Sequence, residues 1–144
     1  CESFLFLADR AQKVDIIVRK NIELGKIVIS DRHTDSSVAY QGYGRQLDVN
    51  KIDMLNNIAT SGLKPDLTIV FDIDVETSMA RVGKEKDRME SAGKEFFERV
   101  RQGYLKIAQK EPNRVKVINS VDSIENIHKQ VVQLFVELEE KLAK

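Results

Sequence analysis

The sequence contains a single cysteine, Cys1, and no long apolar run. One cysteine excludes an intramolecular disulfide and favours a reducing compartment. No run approaches the roughly 20 apolar residues that span a bilayer, and no charged segment followed by an apolar segment and a cleavage site is present. We therefore expect a cytoplasmic protein with no membrane partner.

The sequence also lacks an excess of charge of either sign. Lys plus Arg and Asp plus Glu each total 23, so no overall field attracts nucleic acid, and we expect no nucleic-acid partner. An anionic substrate would have to be held by local clusters of arginine and lysine. With 42% apolar residues and no internal repeat or linker, the sequence indicates one globular domain over residues 1–144.

A glycine-rich phosphate loop is missing as well. None of the seven glycines opens the pattern G-x-x-x-x-G-K-[ST], whose backbone N–H groups and lysine hold nucleotide phosphates. The chain starts with Cys1 rather than Met, and the apolar residues Phe4, Leu5 and Leu7 already follow helical spacing. We expect that the sequence begins inside or at the edge of a helix and is a fragment.

Apolar periodicity and turn residues predict helices that alternate with buried strands. The predicted helices cover residues 3–24, 48–61, 75–82, 95–109 and 123–142, and the predicted strands cover residues 26–30, 67–73 and 114–119. Residues 31–45 are predicted to form a polar loop with a turn or two of helix. Residues 83–93 are predicted to form a mobile loop. The alternation favours an α/β domain with a parallel sheet.

Polar residues follow each predicted strand: Asp31-Arg32-His33, residues 72–74, and Asn119-Ser120. In an open parallel sheet, ligands bind beyond the carboxyl ends of the strands. An arginine just past a buried strand is well placed to meet a phosphate with its planar fork of donors. From these residues alone, a simple pairing of Asp31 with Arg32 is the better interpretation.

Longer motifs resemble those of bacterial thymidylate kinases. Residues 31–42 (DRHTDSSVAYQG) resemble the family signature DR[YFH]-x-x-S-x-x-A-Y-Q-G, and residues 4–12 (FLFLADRAQ) are similar to the family's substrate helix. Residues 64–68 (KPDLT) and 87–90 (DRME) match the start of its fourth strand and its lid. These matches keep the family's order and spacing over essentially all 144 residues. The resemblance therefore implies a transferase of the nucleoside monophosphate kinase type.

The implied reaction transfers a phosphoryl group from ATP to dTMP and gives dTDP and ADP. The implied fold is the three-layer α/β fold of P-loop NTPases, with a parallel sheet, incomplete at the amino terminus. In the chain, the resemblance distinguishes a substrate helix, the loop of the DR motif, a lid over residues 83–93, and a carboxy-terminal strand and helix.

The resemblance assigns the nucleoside contacts to five residues. Phe6 would stack on the thymine ring, and Arg10, on the same helix face, would reach a thymine carbonyl. Ser37 would face the N3 edge of the base. Tyr40 would crowd the position of a ribose 2′-hydroxyl, and Gln41 would complete the contacts.

The resemblance gives the arginines different roles. Arg32 would hold the dTMP phosphate, and Asp31 would organise that arginine and the water bound to Mg²⁺. Arg45 lies either near the same phosphate or in solvent. Arg99 and Arg101 are interpreted as solvated or structural.

The ATP side is assigned to the lid and to the loop after the last strand. Arg88 would supply positive charge to the moving phosphoryl group, with help from Arg81 and Lys84. Asn119 and Ser120 would touch adenine, although a polar turn of this kind is also ordinary helix-capping chemistry.

The resemblance also implies features that these residues do not supply. Mg²⁺ would accompany ATP, with its principal ligands ahead of Cys1, and the complete protein would be a homodimer. The family's first strand, which separates its third and fourth strands, would also lie upstream. We therefore expect residues 1–144 alone to be unstable and inactive. The alternatives are a related kinase with another base preference, a non-catalytic dTMP-binding module, and half of a split kinase.

Overall fold

The computed structural model of the protein describes residues 2–81 and 93–143. They belong to two compact units, one that extends to Lys64 and one that begins at Pro65. The single domain expected over residues 1–144 stays a prediction. Within the described ranges, no helix has the length and apolar character that a membrane crossing requires.

The first unit is helical. Its elements are α1 (Glu2–Lys13), a π-helical turn (Val14–Val18), α2 (Arg19–Glu23), α3 (Thr34–Ser37), a second π-helical segment (Val38–Gly44) and α4 (Val49–Thr60). The helix predicted over residues 3–24 is confirmed, with the π-helical turn inside it. Gly25 ends it with φ of 71° and donates its N–H to the Ile22 carbonyl at 2.8 Å. A left-handed glycine at this position is a common helix stop.

Helix α4 begins and ends where its capping residues predict. The Asp48 carboxylate accepts hydrogen bonds from the N–H groups of Asn50 and Lys51, which satisfies donors that the first turn of a helix leaves open. At the other end, Ser61 and Gly62 are both left-handed, with φ of 47° and 77°. Local sequence chemistry is sufficient to place this helix.

The strand predicted over residues 26–30 is wrong. The sheet formed by the described residues has two strands, and neither comes from this segment. Ile27 and Ile29 are 63% and 88% exposed. The β-branched composition was the basis of the prediction, but a strand requires ladder hydrogen bonds to a neighbouring strand. The described part of the chain provides none for this segment.

The loop predicted over residues 31–45 is largely helical, because α3 and the second π-helical segment occupy residues 34–44. Gly42 explains part of this difference. It is buried, and a Cβ atom built on it would lie 3.1 Å from Val49 Cγ2. The glycine permits the close approach of this segment to the start of α4, and that tertiary contact was not readable from the polar composition.

In its described residues, the second unit combines two strands with three helices. Its elements are β1 (Thr68–Asp72), α5 (Val75–Arg81), α6 (Lys94–Lys110), β2 (Val115–Asn119) and α7 (Ile124–Leu142). The strands are parallel, with Thr68 opposite Val115 and Asp72 opposite Asn119. Within the described residues, all five elements agree with the predicted helices and strands to within about two residues.

The core of the second unit is apolar. Helix α6 buries Phe96 and Val100 on one face, and the strands bury Val70, Val115 and Ile118. These positions follow the helical period on α6, which was the basis for predicting the helix. Burial of such side chains contributes roughly 1.5–3 kcal/mol each to folding. The apolar core therefore holds the carboxyl ends of both strands at one edge.

Candidate functional site

Arg10 is the centre of the polar contacts in the first unit. Its Nη1 donates to Asn56 Oδ1 at 2.7 Å, and its Nη2 donates to the His33 carbonyl at 3.1 Å. Burial lowers the pKa of the Arg10 guanidinium, and the carboxylates of Asp9 and Asp35 act in the opposite direction. A cation that has lost part of its hydration interacts strongly with polar groups placed against it.

Phe6 lies one helical turn before Arg10 on α1, with 45% of its surface exposed. The spacing of four residues places both side chains on the same side of the helix. A half-exposed aromatic ring and a guanidinium on one side of a helix present a flat apolar surface and directed N–H donors. This combination suits a planar base with carbonyl groups at its edge. The nucleoside role of Phe6 stays a prediction.

Arg32 has an unusual backbone conformation. Its φ is 62°, a left-handed value that costs a residue other than glycine of order 1–3 kcal/mol and that occurs often at binding sites. The guanidinium lies over the Tyr40 ring, with Cζ 4.8 Å from the ring centroid. Its Nη2 also donates to the Tyr40 hydroxyl at 3.1 Å. The structure therefore brings Arg32 and Tyr40 together, while Asp31 is exposed beside them.

Ser37 and Gln41 lie on the helical segment that follows. Both are buried, with 7% and 4% of their surface exposed, and Gln41 lies within the second π-helical segment. Buried polar side chains require hydrogen-bonding partners, and π-helical turns are frequent at functional sites. Their burial agrees with a role as directed polar contacts, and their contact with thymidylate stays a prediction.

The carboxyl end of β1 in the second unit carries a bidentate ion pair. Arg101 Nε and Nη2 donate to the two oxygens of Asp72 at 2.7 and 2.8 Å. These hydrogen bonds are the main cause that lowers the pKa of Asp72 and raises that of Arg101. The interpretation of Arg101 as a structural residue agrees with this contact, because the pair ties α6 to the end of β1.

The residues predicted to face ATP meet at the same end of the strands. Arg81 Nη1 donates to the Ser120 carbonyl at 3.1 Å. The Ser120 N–H and hydroxyl both donate to the Asp72 carbonyl, at 2.9 and 3.0 Å. Asn119 Oδ1 accepts from the Val121 N–H at 3.0 Å. The arrangement makes Arg81, Asn119 and Ser120 neighbours, and their contact with ATP stays a prediction.

Asp74 has a capping role at the same end of the sheet. Its carboxylate accepts from the N–H and the hydroxyl of Thr77, at 2.8 and 2.7 Å. These two hydrogen bonds lower the pKa of Asp74, and they stabilise the first turn of α5. The sequence places Asp74 after a strand, where ligands bind in such sheets, but its side chain caps the first turn of α5.

Arg88 and Lys84 lie outside the described residues, as does nearly all of the predicted lid. No group of three or more His, Cys, Asp or Glu side chains suited to a metal ion occurs in residues 2–81 and 93–143. Mg²⁺ that accompanies a nucleotide is usually held by one or two carboxylates together with the phosphates, so the predicted cofactor stays a prediction. The chemistry that the described residues can provide is cationic and hydrogen-bonding.

Sequence reasoning missed Asn56. This residue is 2% exposed and contacts Arg10 directly. A signal was available, because Ile52, Asn56 and Thr60 recur every four residues on α4 and all three are buried. A polar residue in the buried phase of an amphipathic helix indicates a partner that it must hydrogen-bond.

Comparisons with known proteins identify one family. The family model described as "Thymidylate kinase" matches residues 1–131. A thymidylate kinase from Kosmotoga olearia is 43% identical over 94% of the chain, and one from Maridesulfovibrio salexigens is 43% identical over 95%. The solved thymidylate kinase of Ehrlichia chaffeensis has a TM-score of 0.73 and 34% identity over 93% of the chain.

The chain spans 66% and 67% of the lengths of these two curated relatives and 62% of the solved one. The structural likeness confirms the predicted fold class, an α/β fold of the nucleoside monophosphate kinase type. The five matched elements of the second unit, with their parallel strand pair, agree with that class.

Proposed function

The chain belongs to the thymidylate kinase family, and on that premise we propose that it serves the transfer of the γ-phosphoryl group of ATP to dTMP. In this reaction, a phosphate oxygen of dTMP attacks the γ-phosphorus of ATP. The bond from that phosphorus to the β–γ bridging oxygen breaks, so that dTDP forms and ADP leaves. Positioning and positive charge supply most of the catalysis of such transfers.

The observation that carries the proposal is the placement of two arginines around one short segment. Arg10 donates to the His33 carbonyl, and Arg32 directly precedes His33 and lies over Tyr40. Arg10 is partly buried, whereas Arg32 is exposed. This difference suits Arg10 to a base carbonyl and Arg32 to a phosphate.

The remaining roles follow from the same premise. Phe6 stacks on thymine, Ser37 and Gln41 make polar contacts to the nucleoside, and Tyr40 disfavours a ribose. Asp31 orients Arg32.

On the ATP side, Arg81, Asn119 and Ser120 contact the nucleotide, and Arg88 stabilises the charge of the transferred group. The arrangement of the first three around the end of the strands supports this assignment. Mg²⁺ would accompany ATP and neutralise phosphate charge when bound.

The test is an assay of ADP formation in the whole protein as its gene encodes it, with dTMP, dUMP, dCMP and thymidine as acceptors. We expect a preference for dTMP. Arg32→Ala should raise the KM for dTMP by about 10- to 100-fold, because a charge-assisted contact to phosphate is lost. Lys51→Ala is the matched control, since its side chain is 76% exposed in the same unit.

Three results would contradict the proposal. An equal use of dUMP or dCMP would indicate a kinase with another base preference. Binding of dTMP without turnover would indicate the non-catalytic module. If Arg32→Ala changes only the KM for ATP, the proposal that Arg32 binds the phosphate of dTMP is wrong.

A homodimer and a cytoplasmic location are further proposals. The exposure of Phe4 and Leu5 on α1, 67% and 69%, supports a protein contact on that helix, because exposed apolar patches mark interaction surfaces. Light scattering after size-exclusion chromatography of the whole protein measures the assembly. A monomer at micromolar concentration would refute the homodimer.

A further inference from the structure

Asn56 is among the most deeply buried large side chains of the first unit, and it is polar. It lies in the middle of α4, with 2% of its surface exposed. A buried amide that lacks hydrogen-bond partners costs about 1–3 kcal/mol. The burial of Asn56 is therefore tolerated only if its amide has hydrogen-bond partners.

Both ends of the Asn56 amide have a partner. Oδ1 accepts from Arg10 Nη1 at 2.7 Å, and Nδ2 donates to the Thr34 carbonyl at 3.2 Å. Arg10 Nη2 donates in turn to the His33 carbonyl at 3.1 Å. The three contacts form a closed network that joins α1, α4 and the residues directly after Arg32.

This network determines the orientation of each group in it. A flipped amide would turn its NH₂ group toward the guanidinium and its oxygen toward the Thr34 carbonyl, so one orientation is strongly favoured. A guanidinium has five N–H donors in one rigid plane. Two nitrogens held by Asn56 and His33 therefore fix that plane. A donor that is already oriented loses less entropy when it binds a ligand.

We propose that Asn56 is a positioning residue that sets the base affinity of the protein by orienting Arg10. The inference rests on the proposed function, in which Arg10 contacts a thymine carbonyl. The hydrogen bond from the same amide to the Thr34 carbonyl fixes the orientation in which Asn56 meets Arg10. Asn56 thereby sets the position of the Arg10 guanidinium relative to His33 and Thr34.

The test compares Asn56→Ala with Asn57→Ala in the whole protein as its gene encodes it. Asn57 is exposed on the same helix and serves as the matched control. Isothermal titration should show that Asn56→Ala weakens dTMP binding by about 10- to 100-fold, the expected loss for a contact to a charged group. Asn57→Ala should bind dTMP as the unsubstituted protein does.

Two measurements separate positioning from a general loss of structure. Deoxyribose 5-phosphate lacks the base, so its affinity should change by less than about threefold in Asn56→Ala. The double variant Arg10→Ala with Asn56→Ala should bind dTMP no more weakly than Arg10→Ala alone, because residues that act through one another are not additive. Equal losses for both ligands, or independent losses in the double variant, would overturn the inference.

Asn56→Asp is a second variant for the case in which the alanine protein does not fold. Its carboxylate can still accept a hydrogen bond from Arg10, so Asn56→Asp should bind dTMP almost as tightly as the unsubstituted protein. The carboxylate repels the Thr34 carbonyl, so the melting temperature should fall. If affinity falls together with stability in this variant, the residue is only structural. If the unsubstituted, folded protein neither binds nor phosphorylates dTMP, the proposed function itself fails. Normal dTMP binding by Asn56→Ala would overturn the positioning role alone.

Discussion

The two units of the chain differ in what their interiors contain. Among the described residues, every buried polar or charged side chain lies in the first unit: Asp35, Ser37, Gln41, Asn56 and Thr60. The second unit buries apolar side chains between α6 and its two strands, and its ion pair between Asp72 and Arg101 is partly exposed. Apolar contacts are non-directional, whereas buried hydrogen bonds require particular distances and angles.

This difference predicts that the two interiors respond differently to substitution. In the first unit, the polar interior orients Arg10 and anchors the segment after Arg32. In the second unit, the apolar core presents the ends of β1 and β2, where Arg81 and Ser120 meet. A polar interior is sensitive to the loss of a single partner, so we expect substitutions in the first unit to change ligand affinity. Substitutions in the apolar core of the second unit should change mainly stability.

The largest expected effect concerns residues 1–144 produced in isolation. Ile27 and Ile29 are exposed in a segment that belongs to neither strand of the described sheet, so we expect aggregation and no cooperative unfolding. Size-exclusion chromatography and urea unfolding measure this. Ile27→Lys with Ile29→Lys should reduce aggregation, whereas Ile124→Lys, at a residue 82% exposed on α7, should not. A monomeric preparation that unfolds cooperatively would contradict the expectation.

A second, smaller effect tests the ion pair of the second unit. Arg101→Ala should lower the free energy of unfolding of the whole protein by about 1–2 kcal/mol at pH 7, because Asp72 loses a bidentate partner and both side chains are only partly exposed. Their exposures are 21% and 30%. Lys110→Ala on the same helix is the control. An unchanged affinity for dTMP is also expected, since the pair lies outside the polar network of Arg10.

The same pair predicts a pH dependence. The pKa of Asp72 in the folded protein lies below its ordinary value, which is about 3.9. Its contribution to stability is therefore complete above that ordinary value and is lost as the pH falls through the lowered pKa. The difference between the unsubstituted protein and Arg101→Ala should shrink when urea unfolding is repeated below about pH 4. A difference that stays constant down to pH 2 would show that Asp72 is not the group involved.

The smallest effects compare a helix cap from each unit. Asp48 accepts two backbone hydrogen bonds at the start of α4, whereas Ser123 accepts one at the start of α7. We expect Asp48→Ala to cost about 1 kcal/mol and Ser123→Ala about half as much, measured by urea unfolding. Asp48→Ala should also weaken dTMP binding slightly, because α4 carries Asn56. A larger loss in Ser123→Ala would reverse the comparison.

Sequence reasoning succeeded where the determinants are local. Asp48, Gly25 and Gly62 lie at the ends of the helices predicted over residues 3–24 and 48–61, since capping involves groups only a few residues apart. The sequence also predicts β1 and β2, because both carry nearly continuous apolar runs. In the structure, the two strands pair in parallel.

Prediction failed where a distant partner decides the structure. Residues 26–30 have strand composition but no strand beside them among the described residues. Residues 34–44 have loop composition, yet they are helical and packed against α4 at Gly42. The residues of the proposed site were identified largely from family motifs, and their roles in ligand binding stay predictions. Asn56 was overlooked because its partner, Arg10, lies 46 positions away in the chain.

The amino-acid sequence by itself determined the family, the boundaries of the longer helices and the candidate arginines, since these depend on motifs and on contacts between near neighbours. Only the tertiary structure decided which of these side chains are held, and by what. It placed the guanidinium of Arg10 between Asn56 and His33, put Arg32 over Tyr40, and paired Arg101 with Asp72. The contacts of Arg10 and Arg101 join residues far apart in the chain, and they exist only after the helices and strands that carry them have packed.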